Sequence, residues 1–186
     1  EVTPQHLLLN TTAYEKIGSL AQMNPPLRTS HDNEVLWQAL LDGVIDFIAT
    51  DHAPHTLEEK AQTYPKSPSG MPGVETSLPL MLTAAVEGRC TIAQVVNWMS
   101  TAVASAYSIP NKGAIAPGYD ADLVLVDLNS RKKVKGEELA SKCGWSSFEG
   151  WNLTGWPVTT IVGGELAYHQ GNLFTKTRGR ALTFKR

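Results

Sequence analysis

Gly43-Val44-Ile45-Asp46-Phe47-Ile48-Ala49-Thr50-Asp51-His52-Ala53-Pro54-His55 carries an apolar, β-branched run directly into one carboxylate and two imidazoles. The run is short, begins after a glycine and ends at a proline-bearing turn, which predicts a buried strand over Val44 to Thr50. Its carboxyl end delivers Asp51. A strand fixes the backbone and Pro54 stiffens the turn beyond it, so Asp51 is held where a carboxylate can ligate a divalent cation or exchange a proton with a metal-bound water. Spacing alone leaves another reading open: Asp51 caps a helical turn at Thr56 to Lys60, and the histidines satisfy local hydrogen bonds. One carboxylate does not make a metal site.

Working outward, Glu1 to Thr3 reads as a short strand leading into Leu7-Leu8-Leu9 and a polar stretch containing Tyr14 and Ile17. The adjacent prolines of Met23-Asn24-Pro25-Pro26-Leu27-Arg28 exclude a helix there. Asp32 or Asn33 caps a helix whose Val35, Leu36, Ala39 and Leu40 line one face, and Gly43 ends it. Beyond Asp51, a loop rich in Pro, Ser and Gly from Thr63 to Gly73 is a candidate lid. Helices are expected over Glu75 to Glu87, Ile92 to Met99 and Ala102 to Tyr107. Strand followed by helix, with polar residues at the strand's carboxyl end, is the grammar of a parallel α/β barrel. From Gly113 the texture changes: Ala121 to Leu128, Val158 to Val162 and Glu165 to Tyr168 are alternating or β-branched, with glycine pairs as turns. The expected organisation is therefore residues 1–111 as barrel elements and 112–186 as a small β-rich domain, with the boundary near Ser108 to Lys112.

With 186 residues, 42% of them hydrophobic, the chain can bury a substantial core. Sixteen basic against eighteen acidic side chains, without blocks of either sign, argue against nucleic acid as a partner. No apolar stretch approaches the roughly 20 residues that span a bilayer, so no membrane is expected and the cytoplasm is the expected compartment. Cys90 and Cys143 have no CxxC spacing and read as isolated thiols. Trp145, Trp151 and Trp156 lack a basic stripe and are expected to seal the joint between the two parts. Glu1-Val2-Thr3-Pro4 opens as if inside a folded element, so the expectation is a fragment.

Ala49 to Lys60, read as ATDHAPHTLEEK, resembles the corresponding segment of the long-chain (type I) dihydroorotases of the amidohydrolase superfamily. Further resemblance runs through Glu1 to Pro4, Met23 to Arg28, Gly70-Met71-Pro72-Gly73-Val74-Glu75-Thr76 and Gly113 to Asp127. It implies an α/β fold: the last strands and helices of an incomplete (β/α)8 TIM barrel, with strand 7 at Glu1 to Thr3 and strand 8 at Val44 to Thr50, plus a small C-terminal β-sheet (composite sandwich) domain. The resemblance also implies roles. Asp51 binds metal and shuttles the proton, while Asn24, His55 and the Ser69-Gly70 backbone contact substrate. The reaction would be the reversible, zinc-dependent cyclisation of N-carbamoyl-L-aspartate to L-dihydroorotate. A metal-bound hydroxide would attack the ring carbonyl, and Asp51 would carry its proton to the leaving nitrogen. His52 is expected to make a structural hydrogen bond, His6 to pack, and His31 and His169 to face solvent or a turn.

The family's two zinc ions are held mostly by an early His-x-His, a carbamylated Lys or an Asp, and two later histidines, all ahead of Glu1 in the family order. The sequence contains no His-x-His. Asp51 is then the one family ligand present, and the expected partner is the N-terminal remainder of the barrel, without which the chain is expected to be inactive. A homodimer or association with aspartate transcarbamoylase also fits the resemblance. Two other readings stay open: a hydantoinase-like or allantoinase-like ring opener, and a non-catalytic homologue that scaffolds aspartate transcarbamoylase.

Overall fold

The computed structural model describes residues 1–184, so the last two residues of the expected 112–186 domain lie outside it. Thr3 opens helix α1 (Pro4–Leu8): its hydroxyl accepts from the His6 N–H at 3.2 Å, and Pro4 at the first turn loses no helical bond. Helix α2 (Thr12–Ile17) comes next, with a 3-10 turn at Gly18–Ala21.

Helix α3 (Ser30–Leu41) starts earlier than the expected caps allow. Thr29 is the cap, and Asp32 is the third helical residue that bonds back to it, closing a capping box. Of the expected face, Leu40 is buried and Leu36 packs against the core, but Val35 is 53% exposed, and Asn33 and Trp37 complete the buried side. Polar anchors turn the helix. The Asn33 amide donates to the carbonyls of His6 and Leu9, and the Trp37 indole N–H donates to that of Leu7 at 3.0 Å.

The two expected strands reduce to a single parallel bridge between Val2 and Ile48. The Val2 N–H donates to the Phe47 carbonyl and the Ala49 N–H to that of Val2. Ile48 is 5% exposed, whereas Val44, at the start of the expected strand, is 77% exposed. A continuous strand needs ladder partners along its edges. Within the described residues Val2 offers only that one bridge, and on the other side the Ile48 N–H bonds the Trp98 carbonyl.

Helix α4 (Leu57–Lys60) lies just past the His55 turn, and α5 (Ser77–Val86) supplies six buried residues. Helix α6 (Ile92–Val96), a π-helical segment Asn97–Thr101 and α7 (Ala102–Ala106) run on without a break, where two helices were expected.

The later chain forms an open, four-stranded antiparallel sheet in the order β1 (Leu123–Lys133), β2 (Asn152–Val162), β3 (Glu165–His169), β4 (Asn172–Leu173). β2 is hooked to α5: the Thr83 hydroxyl accepts from the Thr154 N–H and donates to its carbonyl, at 2.9 and 3.0 Å. Gly155 permits this approach, because a Cβ there would lie 2.7 Å from Leu82 Cβ.

Two apolar clusters hold the molecule. One gathers Val2, Leu7, Trp37, Leu40, Ile48, Met81, Val95 and Trp98. The other joins Leu9, Met23, Leu27, Met71 and Leu80 to Val134, Trp145, Phe148 and Leu153 from the later chain. Trp145 alone of the three expected tryptophans is fully buried, while Trp151 is 38% exposed and Trp156 is half-buried.

Candidate functional site

Asp51 occupies the left-handed region at φ 42°, which a non-glycine residue adopts at a cost of order 1–3 kcal/mol. Its carboxylate is exposed, and among the described residues it accepts no hydrogen bond and forms no ion pair. Helix α4 does not need it. Thr56 caps that helix, accepting from the Glu59 N–H at 3.1 Å while the Glu59 carboxylate accepts from the Thr56 N–H at 2.8 Å. The capping alternative for Asp51 is thereby removed, leaving a strained, unpartnered carboxylate near the end of the Ile48 bridge.

The segments 51–55 and 69–73 run side by side. His52 and Met71 form a parallel bridge, and the Ala53 N–H donates to the Met71 carbonyl at 3.0 Å. His52 Nδ1 accepts from the Gly73 N–H at 3.1 Å, which in a neutral ring assigns the proton to Nε2 and makes His52 a brace. His55 Nε2 lies 3.1 Å from the Ser69 carbonyl oxygen, which can only accept, so Nε2 carries a proton. His55 Nδ1 is 3.6 Å from the Glu59 carboxylate. Bonds from Thr56, aided by His55, hold the Glu59 pKa below its ordinary value.

Gly70 is required where it stands. Its φ is +136°, and a Cβ there would lie 2.6 Å from Ala53 Cβ and 3.2 Å from His55 Cδ2. Asn24 and Ser69 share the wall of a cavity of about 650 Å³, together with Tyr14, Gln22, Gln62 and Tyr64. The structure thus joins His55 to Ser69 and Gly70, and Ser69 to Asn24. Asp51 is not part of that cavity's lining.

Two residues to which the sequence assigned no part in the site contribute to it. Lys60 is 0% exposed, and its ammonium donates to the carbonyls of Gln22, Pro68 and Gly70 at 3.0, 2.9 and 3.0 Å. Burial pushes its pKa below the ordinary lysine value. Trp145 donates its indole N–H to the His55 carbonyl at 2.8 Å, and its ring lies 5.8 Å from Lys60 Nζ. A charged residue after Glu58-Glu59 in an exposed-looking helix gives no sign of burial. The loop from Thr63 to Gly73 is pinned at Pro68 and Gly70 by Lys60, which leaves only its earlier, exposed part free to act as a lid.

His6 does pack as expected, with Nδ1 2.8 Å from the Thr3 hydroxyl and Nε2 2.9 Å from the Pro25 carbonyl. His31 is exposed, and the His169 ring meets the Thr159 hydroxyl at 2.9 Å from an exposed position. Among the described residues no group of three or more His, Cys, Asp or Glu side chains is placed to hold a metal ion. Asp51 alone does not make a zinc site.

The amidohydrolase family matches residues 3–167. The chain belongs to that family. Curated relatives include a dihydroorotase of Anoxybacillus flavithermus, 44% identical over 172 residues, which are 92% of this chain and 40% of the relative. A dihydroorotase of Halobacterium salinarum is 44% identical over 164 residues, 88% of this chain and 39% of the relative. This amidohydrolase chain therefore spans about 40% of the length of the curated relatives it matches. Among solved structures, an L-hydantoinase (dihydropyrimidinase) from Arthrobacter aurescens superposes with a TM-score of 0.88 at 36% identity, covering 92% of this chain and 39% of the hydantoinase. A dihydropyrimidinase from Brevibacillus agri gives 0.87 at 29% identity, with the same coverage. Metal dependence is general in this family, and no helix among the described residues is long and apolar enough to cross a membrane.

Proposed function

We propose that the chain is the C-terminal part of a dihydroorotase that interconverts N-carbamoyl-L-aspartate and L-dihydroorotate in pyrimidine biosynthesis. The observation that carries this reading is the strained, unpartnered Asp51 beside a rigid frame of His55, Ser69 and Gly70. Identity supports dihydroorotase over hydantoinase, at 41–44% against 27–36% among the relatives and structures compared. In this reading residues 1–111 are the end of a (β/α)8 barrel, with the Val2–Ile48 bridge marking strands 7 and 8, and residues 112–186 are a small β-sheet domain that completes a sandwich.

Asp51 acts as the proton carrier: in ring opening it takes the proton of the attacking oxygen and delivers it to the leaving ring nitrogen, and in ring closure it carries a proton from that nitrogen back to the departing oxygen. Its freedom from competing hydrogen bonds suits a group that must gain and lose a proton. His55, Asn24 and the Ser69-Gly70 backbone bind the substrate's carboxylates and carbonyls. Zinc is the proposed metal, and beyond Asp51 its ligands have to come from the rest of the barrel. The N-terminal part of the barrel is thus the obligatory partner, and a second copy or aspartate transcarbamoylase are further partners this reading admits.

The test is turnover by the intact protein that carries this segment, supplied with zinc and N-carbamoyl-L-aspartate. Dihydroorotate is expected to form, and Asp51→Ala is expected to lower kcat by ~10²-fold or more, the scale of a lost acid–base group. Preferred turnover of hydantoin or allantoin would overturn the substrate assignment, and a wild-type protein that turns over none of them would favour the scaffold reading.

A further inference from the structure

Lys60 is a buried cation without a counter-charge. Its side chain is sealed from solvent, and among the described residues no carboxylate lies within ion-pair distance of it. Three backbone carbonyls use all three ammonium protons, and they come from two separate segments: Gln22, two residues before Asn24, and Pro68 and Gly70, on either side of Ser69. The backbone carbonyl of Lys60 is itself tied down by the hydroxyls of Ser19 and Ser67. Both ends of the residue therefore clamp the same two segments together.

The peptide geometry adds an electrostatic consequence. The Pro68–Ser69 bond is trans, as the only cis bonds among the described residues are at Asn24–Pro25 and Tyr64–Pro65. Pro68 turns its carbonyl toward the ammonium, so the Ser69 N–H points the other way. Ser69 lines the cavity that Asn24 shares, and its N–H finds no acceptor within the described residues. A cation bound at the carbonyl end of a peptide group strengthens the donor at the other end.

We infer that Lys60 is a positioning residue for the substrate pocket, holding Ser69 and Gly70 against the Asn24 segment and priming the Ser69 N–H to bind an anionic oxygen of the substrate. This rests on the reading of Ser69, Gly70 and Asn24 as substrate contacts. A buried charge lacking a carboxylate is costly to desolvate. A residue serving the fold alone would meet the same three carbonyls at lower cost with neutral donors, whereas a dianionic substrate gains from a fixed positive charge behind its hydrogen-bond donor.

The experiment uses the intact protein carrying Lys60→Met, and separately Lys60→Ala with and without propylammonium, which replaces the atoms that alanine removes. Two readouts are compared: steady-state kinetics with N-carbamoyl-L-aspartate, and amide exchange at the Gly70 N–H, which donates to the Gln22 carbonyl at 2.9 Å. Exchange at Gly70 is expected to accelerate at least ~10-fold. KM is expected to rise ~10-fold or more with kcat changed by less than ~3-fold, and propylammonium is expected to reverse both in Lys60→Ala. Damage to folding alone lowers the active fraction and hence kcat, leaving KM unchanged. Unaltered exchange at Gly70 in a folded variant overturns the clamp whatever the activity. Accelerated exchange with an unchanged KM overturns the role in substrate binding. A wild-type protein inactive on the substrate, with exchange still accelerated in the variants, overturns the dihydroorotase reading and not the clamp. Should Lys60→Met fail to fold, the Lys60→Ala pair decides, since lack of rescue there counts against the ammonium's role.

Discussion

Gly70 shows how little room the site has. A methyl group there meets the Ala53 side chain at 2.6 Å and the Ala53 carbonyl at 3.0 Å, in a backbone conformation that L-residues rarely adopt. Gly70→Ala is expected to push the Ser69 carbonyl off His55 and raise KM for N-carbamoyl-L-aspartate by ~10-fold or more, in line with the ~1–3 kcal/mol cost of a strained backbone. A KM within about twofold of wild type in a folded variant, less than ~0.5 kcal/mol, would show that the site tolerates the shift. At this scale the sequence was informative where neighbours along the chain make the site. Asp51, His52 and His55 fall within five residues, and their type and order announce chemistry. Lys60 was illegible, because its environment is three carbonyls, and a carbonyl is contributed by every residue type. The role of Trp145 was half legible. Burial at a joint could be expected from its size, but its bond to a backbone atom 90 residues away could not.

Among the elements, local causes were readable and distant ones were not. Helices α3, α5 and the run from α6 to α7 were readable from their apolar spacing, whereas the short α1 and α2 were not, and the misplaced start of α3 arose because Thr29, Asp32 and Asn33 all belong to capping residue types. Only the reciprocal bonds single out Thr29. The strands expected in the later chain formed as β1, β2 and β3, but the two expected ahead of Asp51 failed for another reason. Strand hydrogen bonds lie between segments, and Val44 to Thr50 has a single bridge to Val2 to satisfy it here. Helix α4, which sets the position of His55, carries a pH prediction. Glu59 is held below the ordinary carboxylate pKa of 4.5 by its bonds to Thr56, with His55 contributing. Its stabilising effect is therefore complete above the unfolded value, and is lost as pH falls through the lower folded value. Glu59→Gln is expected to lower the melting temperature at neutral pH, and the difference from wild type is expected to shrink toward zero as pH falls below 4.5. A melting-temperature difference independent of pH would show that the carboxylate's charge contributes nothing to the cap.

Across the whole molecule, the two parts read from sequence as residues 1–111 and 112–186 share a core. Phe148, 0% exposed, and Trp145, Val134 and Leu153 lie in the same cluster as Leu9, Leu27, Met71 and Leu80, and Thr83 is bonded to β2. The sequence showed a change of texture near Gly113 and so suggested a boundary. It could not show that Trp145 reaches the His55 turn, because a change from helical to strand periodicity carries no information about packing between the parts. If the shared cluster governs stability, removing its centre must unfold both sides at once. Phe148→Ala leaves a cavity between them and is expected to cost about 3–5 kcal/mol. Amide exchange at Trp37 in α3 and at Tyr168 in β3 reports the two sides separately, and both are expected to lose protection in one cooperative transition. Separate transitions, with the Trp37 region unchanged from wild type, would mean that the parts are stabilised independently and that the joint under His55 is a contact between two autonomous units.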